Sequence, residues 1–285
     1  MVSPEMFAPG ERDVLIRFRH VYKVYRVGET GVVALGGVDL DIPPAEFLAV
    51  VGPSGAGKST ILNLIGGLDR ASAGVVEIDG RDLGLLEDDE LTAYRAERVG
   101  FVWQGTARNL VPYLDVRENV RLPAAVDRAE HATRRDADDL LELVGLGARS
   151  KHTPGMLSGG EQQRAAIAVA LANTPAILLA DEPTAELDSE SAAAVLEAFR
   201  AVNREFGVTI VMVTHDLSAA RTADRRIRVR DGRVLHEGVA TTPIGDDGRV
   251  RLPDEAVAAL GDGDLEAEVG PDEVRLRRRS ETGHA

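Results

Sequence analysis

No cysteine occurs in the 285 residues, so disulfides, thiolate nucleophiles and cysteine-ligated zinc are excluded. Aromatic residues are also scarce, at 4% of the chain, which leaves the core to Val, Leu, Ile and Ala. A core of that kind suits a buried parallel sheet covered by helices. No run approaches the roughly 20 apolar residues needed to cross a bilayer, so a membrane span would have to come from another chain. Positive charge is in deficit: 33 Lys and Arg stand against 47 Asp and Glu, a net charge of −14. Nonspecific nucleic-acid binding as the main activity is therefore disfavoured, because phosphate backbones demand basic surface. Met1 to Asp13 holds acidic residues and prolines where a secretory leader would need positive charge and an apolar run. The expectation is a cytoplasmic protein.

Apolar residues make up 44% of the chain, enough for one large domain and a small one. Val14–Tyr25 alternates as a strand does, and Val38–Ile42 reads as its neighbour. Phe47-Leu48-Ala49-Val50-Val51 is a continuous apolar run that stops at Gly52, and Ser59–Leu68 then has helical periodicity. Val75–Ile78 and Val99–Trp103 are further strand candidates, and Val116–Leu146 turns helical. Gly160–Asn173 reads as a helix, Ala176–Ala180 and Thr209–Val213 as central strands, and Ala192–Phe206 as the helix between them. Asp231-Gly232 is a hairpin turn between Ile227–Val229 and Val234–His236.

The strand, loop, helix context surrounds Gly52-Pro53-Ser54-Gly55-Ala56-Gly57-Lys58-Ser59-Thr60. Glycines let successive amides turn toward one anion, and the following helix points its positive end there. In that spacing Lys58 serves the β- and γ-phosphates, and the Ser59 hydroxyl is placed for Mg2+. The run Ile177 to Ala180 delivers Asp181 and Glu182 to the end of a buried strand, where ligands gather in open α/β sheets. Asp181 is suited to the metal and Glu182 to polarising a water as general base. An Asp-Glu pair alone is more often a cap or turn; its place between a phosphate loop and a histidine-bearing strand favours chemistry.

Leu157-Ser158-Gly159-Gly160-Glu161-Gln162-Gln163-Arg164, together with the phosphate loop, resembles the ATP-binding cassette (ABC) ATPases over nearly all of Val14 to Gly238. The resemblance implies an α/β fold: a P-loop NTPase core with a parallel sheet, an antiparallel β subdomain and an inserted helical signature subdomain. It implies residues 1–240 as the nucleotide-binding domain. It assigns Tyr25 to adenine stacking, and Gln104 to the metal, the attacking water and the transmembrane partner. Ser158, Gly159, Gly160 and Gln162 would reach a nucleotide held by a second copy; Asp188, after Leu187, would cross that dimer interface. His215 would touch the γ-phosphate. The implied cofactors are ATP and Mg2+, and the implied partners a homodimer and transmembrane permease subunits at the inner face of the cell membrane. Ala185-Glu186 and the segment Gly105–Leu114 depart from the commonest family sequence, which weakens any inference about cargo.

The opening Tyr22–Thr30 followed by Val33-Ala34-Leu35 is similar to the branch serving macrolide exporters, lipoprotein-releasing complexes and the cell-division ABC pair. ABC ATPases of DNA repair, chromosome organisation and translation are the alternative. Against them, the chain lacks cysteine zinc modules, a long heptad insertion and a second cassette. Residues 241–285 read as a separate β-α-β appendage: a strand and turn at Ile244–Pro253, a helix at Asp254–Leu260, and a hairpin from Leu265–Val269 and Val274–Arg277. This order resembles the swapped-hairpin domain of AbrB-like regulators, obligate dimers of which many bind DNA. A tail packed on its own core, a dimerisation cap and a DNA-binding arm carrying Arg275, Arg277, Arg278 and Arg279 all remain open.

Overall fold

The computed structural model of the protein describes residues 14–28, 30–105, 108–126, 135–235, 265–269 and 274–278. The chain divides into two compact units, Met1–Leu235 and His236–Ala285. In the first, β1 (Ile16–Val27) and β2 (Thr30–Ile42) form a long antiparallel hairpin. Next come the buried β3 (Phe47–Val51) and α1 (Lys58–Ile65). β4 (Ala73–Ile78) pairs back onto β1, and the short β5 (Arg81–Asp82) onto β4, giving an antiparallel sheet in the order β2-β1-β4-β5.

A run of five apolar residues has no polar face, so β3 belongs mid-sheet. It pairs in parallel with β8 (Thr209–Thr214) on one side and β9 (Arg225–Arg230) on the other. β7 (Ile177–Asp181) and then β6 (Val99–Val102) continue the parallel run beyond β8. β10 (Arg233–Leu235) adds an antiparallel edge, giving the order β10-β9-β3-β8-β7-β6. Because successive strand side chains point to opposite faces, β3 feeds two cores. Leu48 and Val50 join Ile61, Leu64, Val211 and Val213 in one. Phe47, Ala49 and Val51 join Ile167, Phe199, Ile210 and Met212 in the other.

α2 (Asp88–Arg98) precedes β6. Between β6 and β7 the chain inserts α3 (Val116–Val126), α4 (Ala137–Leu143) and α5 (Gly159–Ala170). α6 (Ser189–Phe206) lies between β7 and β8, and α7 (Leu217–Ala220) follows β8. The expected architecture is present, with additions that include the short β5 and α7. β2 begins eight residues before Val38, at Thr30, and α2 has no counterpart among the expected helices. In the second unit β11 (Leu265–Val269) pairs antiparallel with β12 (Val274–Arg278), with Glu266 opposite Arg277 and Glu268 opposite Arg275. The expected strand at Ile244–Pro253 and helix at Asp254–Leu260 lie outside the described residues.

Candidate functional site

At the carboxyl ends of β3, β7 and β8 the chain brings together five candidate side chains: Lys58, Ser59, Asp181, Glu182 and His215. β3 runs into the loop Gly52–Gly57 and α1 starts at Lys58. Gly57 takes φ 103°, and a Cβ there would stand 2.4 Å from the Ala34 carbonyl oxygen. Only glycine satisfies both demands, and as helix cap it brings no side-chain acceptor to the first amides of α1. Those amides remain for an anion. The Asp231-Gly232 turn supports the loop from behind, with the Gly232 N–H donating to the Ala56 carbonyl at 3.1 Å.

Lys58 is buried and donates from Nζ to the carbonyls of Gly52 (2.9 Å) and Pro53 (3.1 Å), with Glu182 Oε1 at 3.6 Å. The Ser59 hydroxyl donates to Asp181 Oδ1 at 3.3 Å. Burial pushes the Asp181 carboxyl above its ordinary pKa; the Ser59 contact opposes this, the neighbouring Glu182 charge adds to it, and Lys58 and Arg108 pull back. A half-buried carboxylate beside a hydroxyl fits a hard oxygen-seeking cation such as Mg2+. No cluster of three or more His, Asp or Glu side chains suited to a metal occurs among the described residues.

Glu182 follows β7 in the left-handed region, φ 45°. Its N–H donates to the Val213 carbonyl at 3.0 Å. Oε2 lies 2.8 Å from His215 Nδ1 and accepts from the His215 N–H at 3.3 Å. The parallel register of β7 and β8, Asp181 opposite Val213, sets this pairing. Gln104 stands exposed just past β6, whose Val102 pairs with Ala180.

The sequence reading missed what holds Gln104. Asn109 accepts the Trp103 N–H at 2.8 Å and donates to the carbonyls of Trp103 (2.9 Å) and Gly105 (3.2 Å), so one side chain closes the loop. Asparagine seven positions after the end of β6 was the available signal, and many unrelated loops share it.

Ser158 and the glycines lie at the start of α5, on the inserted helices. Ser158 caps α5, accepting the Glu161 N–H at 3.3 Å while Glu161 Oε2 accepts the Ser158 N–H at 2.8 Å. That backbone bond, first among several contacts, holds the Glu161 carboxyl below its ordinary pKa. Gly160 abuts α6: a Cβ would meet the Ser191 Cβ at 2.9 Å. Gln162 donates to the Leu157 carbonyl at 3.1 Å. Asp188 caps α6, accepting from the N–H groups of Glu190 and Ser191 and from the Ser191 hydroxyl. Among the described residues, no hydrogen bond or ion pair joins residues 158–164 to residues 52–60 of the same chain. Tyr25, on β1, is half-buried and reaches the segment after α1.

The family described as ABC transporter matches residues 35–185. An uncharacterized ABC transporter ATP-binding protein of Methanocaldococcus jannaschii is 44% identical over 230 residues, 78% of this chain and 96% of that protein. A macrolide export ATP-binding/permease protein, MacB, of Rhodopirellula baltica is 44% identical over 226 residues, 78% of this chain and 33% of its own. Among solved structures, a dimeric post-hydrolysis state of an ATP-binding cassette bound to ADP and Pi is similar. It has a TM-score of 0.69 and 42% identity, covering 78% of this chain and 97% of that one.

Proposed function

Because the chain belongs to the ABC transporter family, we propose that it binds and hydrolyses ATP as one half of a two-copy clamp that drives a membrane partner. The observation that carries this reading is the convergence of Lys58, Ser59–Asp181 and Glu182–His215 on adjacent strand ends. A signature segment on separate helices, with no bond to that convergence within one chain, completes a site only when a second copy supplies it. The similar solved cassette is a dimer.

In this mechanism the phosphate loop and Lys58 hold the triphosphate and neutralise charge that develops on it. Ser59 and Asp181, with Gln104 from the neighbouring strand end, would hold Mg2+, which supplies further neutralisation of the phosphate oxygens. Glu182 orients the attacking water and takes its proton, and His215 fixes the direction of that carboxylate. The partner copy's Ser158–Gly160 favours the closed dimer only through contacts absent when it is open.

The work belongs at the inner face of a membrane, where the ATPase drives a permease. What supports this is the likeness to a protein named as a macrolide export ATP-binding/permease protein. Likeness to several such proteins supports the macrolide-exporter branch. We assign residues 1–240 to the ATPase and 241–285 to a small AbrB-like or dimerisation appendage.

The test is Glu182→Gln. Loaded with ATP and Mg2+, this variant is expected to elute as a stable dimer and to lose at least about a hundredfold in turnover. Parental turnover, or a variant that stays monomeric, overturns the proposal.

A further inference from the structure

Tyr25 enters its surroundings from β1 and meets residues on and beyond α1. The phenol donates to Asp69 Oδ2 at 2.9 Å. The Lys23 ammonium donates to Asp69 Oδ1 at 2.5 Å and to the Arg70 carbonyl at 2.8 Å. It also lies over the Tyr25 ring, 4.9 Å from its centroid. Asp69 is itself tied down: its carboxylate accepts the Arg70 N–H at 2.8 Å, and its own N–H donates to the Asn63 carbonyl of α1.

These charges are withdrawn from solvent, with the Lys23 side chain 12% and the Asp69 side chain 28% exposed. Burial pushes the Asp69 carboxyl up, yet the Lys23, Tyr25 and Arg70 contacts together outweigh it and hold the group below its ordinary pKa. Burial also raises the Tyr25 phenol, and a hydrogen bond with the Thr60 side chain, in the first turn of α1, opposes that rise. A tyrosine whose ring only covered a sheet edge would need no such set of partners.

We propose that Lys23 and Asp69 are positioning residues for the base of ATP, locking the Tyr25 ring at a fixed distance from the phosphate loop. This rests on the reading of Tyr25 as the adenine-stacking residue. The physical logic is that of a ruler. Lys58 begins α1 and Asp69 follows its end, so one rigid helix sets both the phosphate end and the base end of the nucleotide. The hydroxyl anchor fixes the plane of the ring. The ammonium covers one face, and the base would stack on the other.

Binding of ATP and of inorganic tripolyphosphate to the full chain separates the possibilities, because only ATP has a base. Asp69→Ala and Tyr25→Phe are each expected to weaken ATP about five- to tenfold, the loss of one charge-assisted hydrogen bond, and to leave tripolyphosphate unchanged. Tyr25→Ala is expected to weaken ATP at least as much, again without touching tripolyphosphate. If Tyr25→Ala leaves the ratio of the two affinities at the parental value, the stacking reading itself is wrong. If Tyr25→Ala lowers that ratio while Asp69→Ala and Tyr25→Phe do not, stacking stands and the positioning role is overturned. Equal weakening of both ligands by Asp69→Ala reduces Asp69 to a support of the fold and also overturns the proposal.

Discussion

Glu182 sits in a backbone region that costs an L residue about 1–2 kcal/mol, and its φ of 45° turns the carboxylate toward Lys58 and His215. Strain retained at that position is explained by what the side chain does there. Glu182→Gly is therefore expected to gain about 1 kcal/mol of stability while abolishing hydrolysis, measured by thermal melting and phosphate release. A second expectation at this scale concerns acid. Asp41 is held below 3.8 first by its Arg19 hydrogen bond. In Asp224 burial pushes upward, but Arg200 and the Phe47 N–H prevail. Carboxyls lowered in the folded chain contribute fully above the ordinary carboxylate range, and that contribution is lost as pH falls through their folded values. The urea midpoint should fall between pH 5 and pH 3, and Asp224→Asn should lower it at pH 5 while flattening the fall.

Among the elements, α5 puts a helix cap and the proposed contact to a second copy's nucleotide on one residue. Ser158 closes a reciprocal cap with Glu161, so Ser158→Ala should cost about 1 kcal/mol of stability in addition to any loss of dimer closure. Ser158→Asn, another good cap, should restore the stability and not the ATP-dependent dimer. Equilibrium unfolding and gel filtration read the two effects separately. Elements also show where the sequence fell short. α2 buries only Leu91 and Tyr94, too few apolar positions to raise a helical period, although its Glu87–Glu90 capping box was there to be read. The first half of β2 is mostly exposed and broken by Gly31, so no alternation announced it. It exists because β1 pairs with it along its length.

For the whole molecule, both hydrophobic cores are assembled from residues between Leu15 and Val229. A chain ending at Leu235 is therefore expected to fold, to melt within a few degrees of the full chain and to hydrolyse ATP. If residues 241–285 hold two copies together, the full chain should elute as a dimer without nucleotide and the shortened chain as a monomer. Equal elution of the two would remove that role.

The sequence by itself determined the phosphate loop, the Asp181–Glu182 pair, His215 and the central strands. Each is written in contiguous residues whose spacing has a direct physical meaning: glycines where amides must turn, apolar runs where both faces are covered. Only the tertiary structure decided that Asp69 and Lys23 meet Tyr25, that Asn109 closes the loop of Gln104, and that Asp231-Gly232 stands behind the phosphate loop. Those contacts join residues from different strands, helices and turns. Their partners are chosen by sheet register and helix packing, which short-range pattern does not encode.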